Sequence, residues 1–570
     1  MKSRSTLVAL LLLAACADDG GNEGTSESST TLPTTSASTS DTNETGDAGQ
    51  TGDGDGDPAT TTGDGDGDPT TTTTGDGDGD PSTSGVVFDM ARIPDLPGNE
   101  GPNEMTCEQA AASLTSAGCL FAPIVGNPYS QCFMGPLPWA VIAANANFAP
   151  ATVTLYDIDG NEIGSEVVAP GELHVFELAG NENAPMEHPS ATGVFRSLRL
   201  ESDIPIVAYQ FQPYSSSTIA TADAALLLPA HAWGDNYLNV NAKNDGNHWV
   251  TVVSLDDGVE VTVAAADYQT GSSAGGPGIP ALGASQEHVE ILDSQDTLRI
   301  YSQNADLTGM RIYSEGGDVA VYSGSPGMSL PGPGFQSYRD YLEIQLPPRE
   351  AWGNEYAAVK FRPRTNEEDL YRIIADKDGT TINLTGDYVD SFNLDEGEFV
   401  EFSTAGNFLA SSDDAFAIAH FIVSCSESTG NYDMAEYPGE FEATNNCSNS
   451  ISASDMADPA VSFLVPTAQY RNRYTFLVPF TYAWDMITVT APSAGWGDIE
   501  LDGSPLPAPT ELGVGDLSYA RFLLDDGAHV IEAQDTPFGL EVYGYDCRIS
   551  YAYPGGLSLG SINIPPAPEG

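Results

Sequence analysis

The sequence predicts an all-β protein: four tandem, related β-sandwich-like units behind a disordered N-terminal stalk, with a propeller-like radial arrangement of the units as the alternative. Three observations carry this. Segments such as ATVTLYDIDG (151–160), VEVTVAAADY (259–268) and DMITVTAP (485–492) alternate Val, Ile, Thr and Tyr with polar residues and stop at Gly, Pro or Asp, the pattern of half-buried strands. Similar segments recur in the same order along the chain. The composition also changes sharply near residue 85, from Asp, Gly, Thr and Ser to a mixture rich in apolar and aromatic residues.

In chain order, Lys2 and Arg4 precede an apolar stretch from Leu7 to Ala15 that ends in LAAC (13–16). The stretch is too short to cross a bilayer, which takes about 20 residues, so residues 1–15 read as a secretory signal. LAAC resembles the lipobox of bacterial lipoproteins. That makes Cys16 the lipidated N-terminus, anchored by acyl chains that contribute about 0.8 kcal/mol per buried methylene. Ala17 follows it where Asp would favour retention at the inner membrane, which points to an outer-membrane, surface-exposed protein.

Residues 16–85 form an acidic stalk without Lys, Arg or aromatic residues. It cannot bury enough apolar area to offset the entropy of ordering. TGDGDGDP occurs three times, from Thr51, Thr62 and Thr74. Asp53, Asp55 and Asp57 match the first ligand spacings of an EF-hand loop, but Pro58 stands where that loop needs Gly and Asp64 replaces the closing Glu. The stalk is therefore a spacer with a reach of roughly 45 Å. No cofactor is expected beyond weak, diffuse Ca²⁺ binding by the stalk, and no metal site. A formal net charge of −63 over 570 residues repels phosphates and anionic headgroups. Nucleic acid is thereby excluded as a partner, membrane contact is left to the lipid anchor, and cations and basic protein surfaces are the natural counterparts.

The head divides into a Cys-containing entry segment with unit 1 (86–225), unit 2 (226–343), unit 3 (344–462) and unit 4 (463–570). LLLPAHAWGDNY (226–237) returns as QLPPREAWGNEY (345–356) and FLVPTAQYRNRY (463–474), so Trp233, Trp352 and Tyr470 read as structural anchors of the repeat. Asp-Gly turns follow at 159–160, 257–258, 378–379 and 502–503, suited to type I′ hairpins. The segments GELHVFEL (171–178), SQEHVEIL (285–292), EGEFVEFS (396–403) and DGAHVIEA (526–533) then align His174, His288, Phe399 and His529. An apolar strand closes each unit: SDIPIVAYQF (202–211), GGDVAVYSG (316–324), SDDAFAIAHF (412–421) and TPFGLEVYGY (536–545). TCEQAAASLTSAG (106–118) is the one helix candidate, capped by Thr106.

Beyond Cys16, six cysteines remain: Cys107, Cys119, Cys132, Cys425, Cys447 and Cys547. An even number in an exported chain predicts three disulfides. Cys425 and Cys447 flank a Gly- and Asn-rich insertion and make the most natural pair. No catalytic residue is predicted. GSSAG around Ser273 and GLSLG around Ser558 match the nucleophile elbow, yet the Gly- and Pro-rich residues that follow cannot start the helix it requires. The aligned histidines lose their ligand pattern at Phe399.

GCLFAPIV, SDIPIVAYQFQPY, DAALLLPAHAWGDNYLNV and DGAHVIEAQDTPFGLEVYGYDCRISYAYPGG resemble the IgG Fc-binding protein N-terminal family, whose bacterial members are often exported. The resemblance covers most of residues 105–560. The von Willebrand D and trypsin-inhibitor-like modules of the animal protein are missing. The resemblance implies an extracellular binding or adhesive module. The expected function is thus a cell-surface lipoprotein with a non-enzymatic head that binds an extracellular protein or glycoprotein. A self-associating envelope structural protein is the alternative, and a polysaccharide hydrolase a distant third.

Overall fold

Strands rich in Val, Ile, Thr and Tyr bury their apolar faces by pairing into sheets that then stack. The computed structural model describes residues 106–126, 139–178, 190–212, 214, 221–241, 247–303, 305–330, 339–364, 367–424, 457–480, 482–546 and 549–566. Its regular structure is strand apart from one short α-helix and several 3-10 turns. The leader with Cys16, the stalk, and Cys132, Cys425, Cys447 and Cys547 lie outside these residues.

The helix Cys107–Ser113 starts at a capping box: Thr106 Oγ1 accepts from Gln109 N at 3.3 Å and Gln109 Oε1 accepts from Thr106 N at 3.0 Å. A disulfide between Cys107 and Cys119 ties the helix to the first strand, Gly118–Phe121.

One pairing scheme recurs along the chain. Between residues 236 and 345 it comprises an entry strand (Asn236–Leu238), an inner strand (His248–Ser254), a third (Val259–Ala264), a fourth (Glu287–Leu292), a fifth (Asp296–Ser302), two closing strands (Arg311–Glu315, Val319–Ser329) and an exit strand (Arg339–Gln345). The fourth, third, first closing and entry strands make one antiparallel sheet. The fifth, inner, second closing and exit strands make another, which Gly193–Arg196 extends beyond the fifth. The same neighbours occur around the closing strands Arg199–Gln212, Phe408–Ile422, and Gly527–Ala533 with Gly539–Asp546. Where the closing strand is continuous, as in Arg199–Gln212, its first half pairs in one sheet and its second half in the other. It therefore folds one sheet over the other.

The exit strands Asp223–Leu227, Arg339–Gln345, Ala460–Phe463 and Ile549–Pro554 pack against one another in that cyclic order, with the last against the first. Sandwich and radial features thus coexist, two-sheet layers being set about a common axis. Aromatic rings pack at the closure: Tyr209 meets Tyr553 with ring centroids 5.0 Å apart, and Phe211 meets Tyr551 at 6.1 Å. Between the first two exit strands, side-chain oxygens take the place of a backbone ladder. Ala222 N donates to Asp340 at 2.7 Å, Glu343 N to Asp223 at 3.1 Å and Leu228 N to Gln345 Oε1 at 2.8 Å. Backbone groups on these two edges that would otherwise be free are met in this way.

Two alignments made on the sequence do not hold. His174 lies on a fifth strand, His288 on a fourth, and His529 on the first part of a closing strand. Alternation at period two is shared by every strand, so a His-Val pair within it does not identify a position. The Asp-Gly turns likewise fall into two classes. Those at 257–258 and 378–379 join inner to third strands, and those at 159–160 and 502–503 join third to fourth. Only Asp502 and Gly503 both take positive φ, 49° and 72°, as a type I′ hairpin requires; in the longer loops the glycine alone does.

Candidate functional site

Each repeat anchor follows a one-turn 3-10 segment that begins after Pro229, Pro348 or Pro466. Trp233 and Trp352 are buried, and their indole N–H groups donate to Leu228 O at 2.9 Å and Pro347 O at 3.4 Å. Tyr470 is half-buried against Gly539, where a Cβ would meet its ring at 2.5 Å. All three rings are held in packing contacts and leave no open face for a sugar. The tyrosine that ends each of these segments carries a role that the sequence motifs do not mark. Tyr237, Tyr356 and Tyr474 accept from the backbone N–H of Gly234 (2.9 Å), Gly353 (3.1 Å) and Arg471 (2.9 Å), and donate to the carbonyls of Val319 and Phe416 on closing strands and of Phe538 just before one. The signal was present as the shared final residue of GDNY, GNEY and RNRY.

Along the axis, buried carboxyls face one another. Burial pushes Glu343 up to about 8, against the hydrogen bonds from Tyr341 and Gln210 and the charge of Arg299. Burial also holds Asp223 and Asp340 well above the ordinary carboxylate range. A cavity of ≈ 30 Å³ near the axis is lined by Leu226, Ile344, Trp352, Phe463 and Tyr553 among others, room for a water or two. Among the described residues no group of three His, Cys, Asp or Glu could hold a metal ion. Ser273 is buried with its hydroxyl accepting from Leu282 N at 2.9 Å, and neither it nor Ser558 begins a helix.

The chain has 19 Lys and Arg against 82 Asp and Glu, and several of these cations are buried at contacts between neighbouring stretches. Arg349 bonds Asp376 Oδ1 at 2.7 Å, Glu396 at 2.8 Å and Asn236 at 3.2 Å. Arg372 reaches Asp306 at 2.8 Å and Asn241 O at 2.7 Å. His420 lies between Phe361 and Tyr371, stacked at 3.8 and 4.5 Å, with Nε2 2.9 Å from Asp369 and Nδ1 3.2 Å from Glu541. Burial alone would lower its pKa, but Glu541 and Asp369 outweigh burial and hold it above the ordinary value. Lys360 Nζ lies 2.9 Å from the same Asp369. With these cations inside, the surface left for a partner is strongly acidic. Exposed apolar side chains interrupt it, among them Val167, Val289, Ile291 and Ile562.

A family model described as IgGFc binding protein matches residues 223–544, more than half of the chain. No curated protein matches. Among solved structures, Escherichia coli alpha-2-macroglobulin activated by porcine elastase aligns at 12% identity over 76% of this chain and 43% of that one, with a TM-score of 0.12. A Salmonella alpha-2-macroglobulin mutant aligns at 8% identity over 83% and 41%, with a TM-score of 0.13. The chain spans less than half the length of either, and likenesses this loose carry no argument.

Proposed function

Because the chain belongs to the IgGFc binding protein family, we propose that it is a surface-displayed, non-enzymatic binding module that holds an extracellular protein on its acidic outer face. In this reading Cys16 carries the lipid anchor in the outer membrane, residues 16–85 are the spacer, and 86–225, 226–343, 344–462 and 463–570 are related units of one head. The family match over 223–544 carries the proposal. The burial of Lys360, Arg349, Arg372 and His420 supports it, since it leaves a field that draws basic surfaces and repels acidic ones. Self-association, the alternative, works against a net charge of −63.

The test is saturable binding of the purified full chain to an immobilised panel of extracellular proteins that includes immunoglobulin Fc and basic and acidic controls. Binding to basic members should weaken as salt rises, because screening acts over about 10 Å at 0.1 M. No saturable binding to any member, or concentration-dependent oligomers in its place, would overturn the proposal.

A further inference from the structure

We propose that the edge strand Glu287–Leu292 takes up an extended, cationic segment of a protein partner as an added strand, a mode that rests on the binding role above. Among the described residues the strand ends its four-stranded sheet, pairing only with Val259–Ala264 in an unbroken register from Val259–Leu292 to Ala264–Glu287. Its side chains alternate: Glu287, Val289 and Ile291 are exposed on one face, while on the other Leu292 is buried and His288 and Glu290 are part-buried, the Glu290 carboxylate lying 3.0 Å from His288 Nε2 with its side chain still 30% open to solvent. Val289 and Ile291 keep 45% and 62% of their surface open to solvent.

Edge strands are ordinarily blunted by shortness, Pro, bulges or polar side chains, and the equivalent strands show these devices. Glu162–Val168 pairs through a register shift. Asp390–Leu394 exposes Asp390, Ser391 and Asn393. Ser504–Pro505 has two residues and ends in proline. Glu287–Leu292 has six residues, no Pro, no Lys and two exposed β-branched side chains.

The charge selects the occupant. The only Lys or Arg residues between 247 and 330 are Arg299 and Arg311; Arg299 is buried, Arg311 is paired with Glu396 at 3.3 Å, and the neighbouring Arg196 donates to Ser294 O at 3.1 Å and lies 3.8 Å from Asp296. The exposed carboxylates Glu260, Glu287, Asp293 and Glu315 surround the strand. A second copy of this chain would bring the same charges and be repelled. A partner strand with apolar residues beside Val289 and Ile291, and Lys or Arg beside Glu290, gains backbone hydrogen bonds and charge together.

The experiment uses the full chain and a labelled peptide of alternating Lys and Val, with an isomer whose lysines and valines form two blocks. The alternating peptide should bind more tightly than the isomer and slow amide exchange within 287–292. Val289→Lys with Ile291→Lys should weaken that binding about tenfold or more without moving the melting temperature, since both positions are exposed. No binding by the alternating peptide, protection elsewhere, equal affinity for the isomer or equal affinity of the variant would overturn the edge. If the variant still binds a panel protein as the unmodified chain does, the edge fails and the binding role stands; if the unmodified chain binds no panel protein, the role itself fails.

Discussion

Glu343 places a carboxyl on the axis, accepting from Gln210 Nε2 at 2.9 Å and Tyr341 Oη at 2.8 Å. Burial raises its pKa from 4.5 to about 8, so the folded protein holds the proton more tightly than the unfolded chain does. The stability this contributes is complete below about pH 4.5 and is lost as pH rises through about 8. His420, also raised, acts in the same sense: its contribution is present below its ordinary value near 6.5 and is lost as pH rises through its folded value. Glu343→Gln keeps the acceptor and removes the titration. Thermal melts from pH 5 to 9 should show the unmodified chain losing stability with pH and the variant losing less, by on the order of a few kcal/mol at the alkaline end, each pK unit counting for about 1.4 kcal/mol. Parallel curves would disprove the role. None of this was legible in the sequence, where Glu343 is one acid among 82 and nothing local announces its burial.

The recurring joint after Pro229, Pro348 and Pro466 acts at the scale of the element. A 3-10 turn and an aromatic anchor lead into a strand whose tyrosine hydroxyl bridges its own start to a closing strand. Gly353 sits so close to Pro466 that a Cβ would meet it at 2.4 Å, and Gly234 meets Pro348 at 2.7 Å. Tyr356→Phe would leave the buried Gly353 N–H without its acceptor. It should cost about 1–3 kcal/mol in urea unfolding, with Tyr237→Phe in the same range. An unchanged midpoint in both would show the hydroxyls to be idle. This joint is half legible in the sequence: the Pro and Trp positions stand out, while nothing local marks the tyrosine that ends each segment as a hydrogen-bonding bridge. The misaligned histidines show the complementary failure, in which a motif no more specific than strand alternation was assigned a place that only pairing partners define.

At the scale of the whole head, residues 557–566 run across the joints. Leu557 O accepts from Ser116 N at 3.3 Å, and Ser558 N donates to Gln469 O at 3.1 Å. Ile562 N and Asn563 N reach Glu350 O at 2.9 and 3.0 Å, and Pro566 O accepts from Asn236 Nδ2 at 3.3 Å. The segment thus ties together residues from all four stretches of the head. Removing residues 557–570 gives up several hydrogen bonds worth about 0.5–1.5 kcal/mol each. It should lower the melting temperature and speed amide exchange in Gly118–Phe121 and the exit strands; unchanged exchange there would show that the segment merely lies on the surface.

Strand character, the helix cap at Thr106, the recurrence of the proline-led joints and the acidic excess were determined by the sequence alone, because each depends on neighbours within a few residues or on composition. The tertiary structure decided which strands are equivalent, that the exit strands close about an axis, and that Arg349, Arg372 and His420 bind neighbouring stretches together. Those facts rest on contacts between residues tens to hundreds of positions apart. Burial in such contacts sets both the pairing of a charge and its protonation, and no local pattern encodes it.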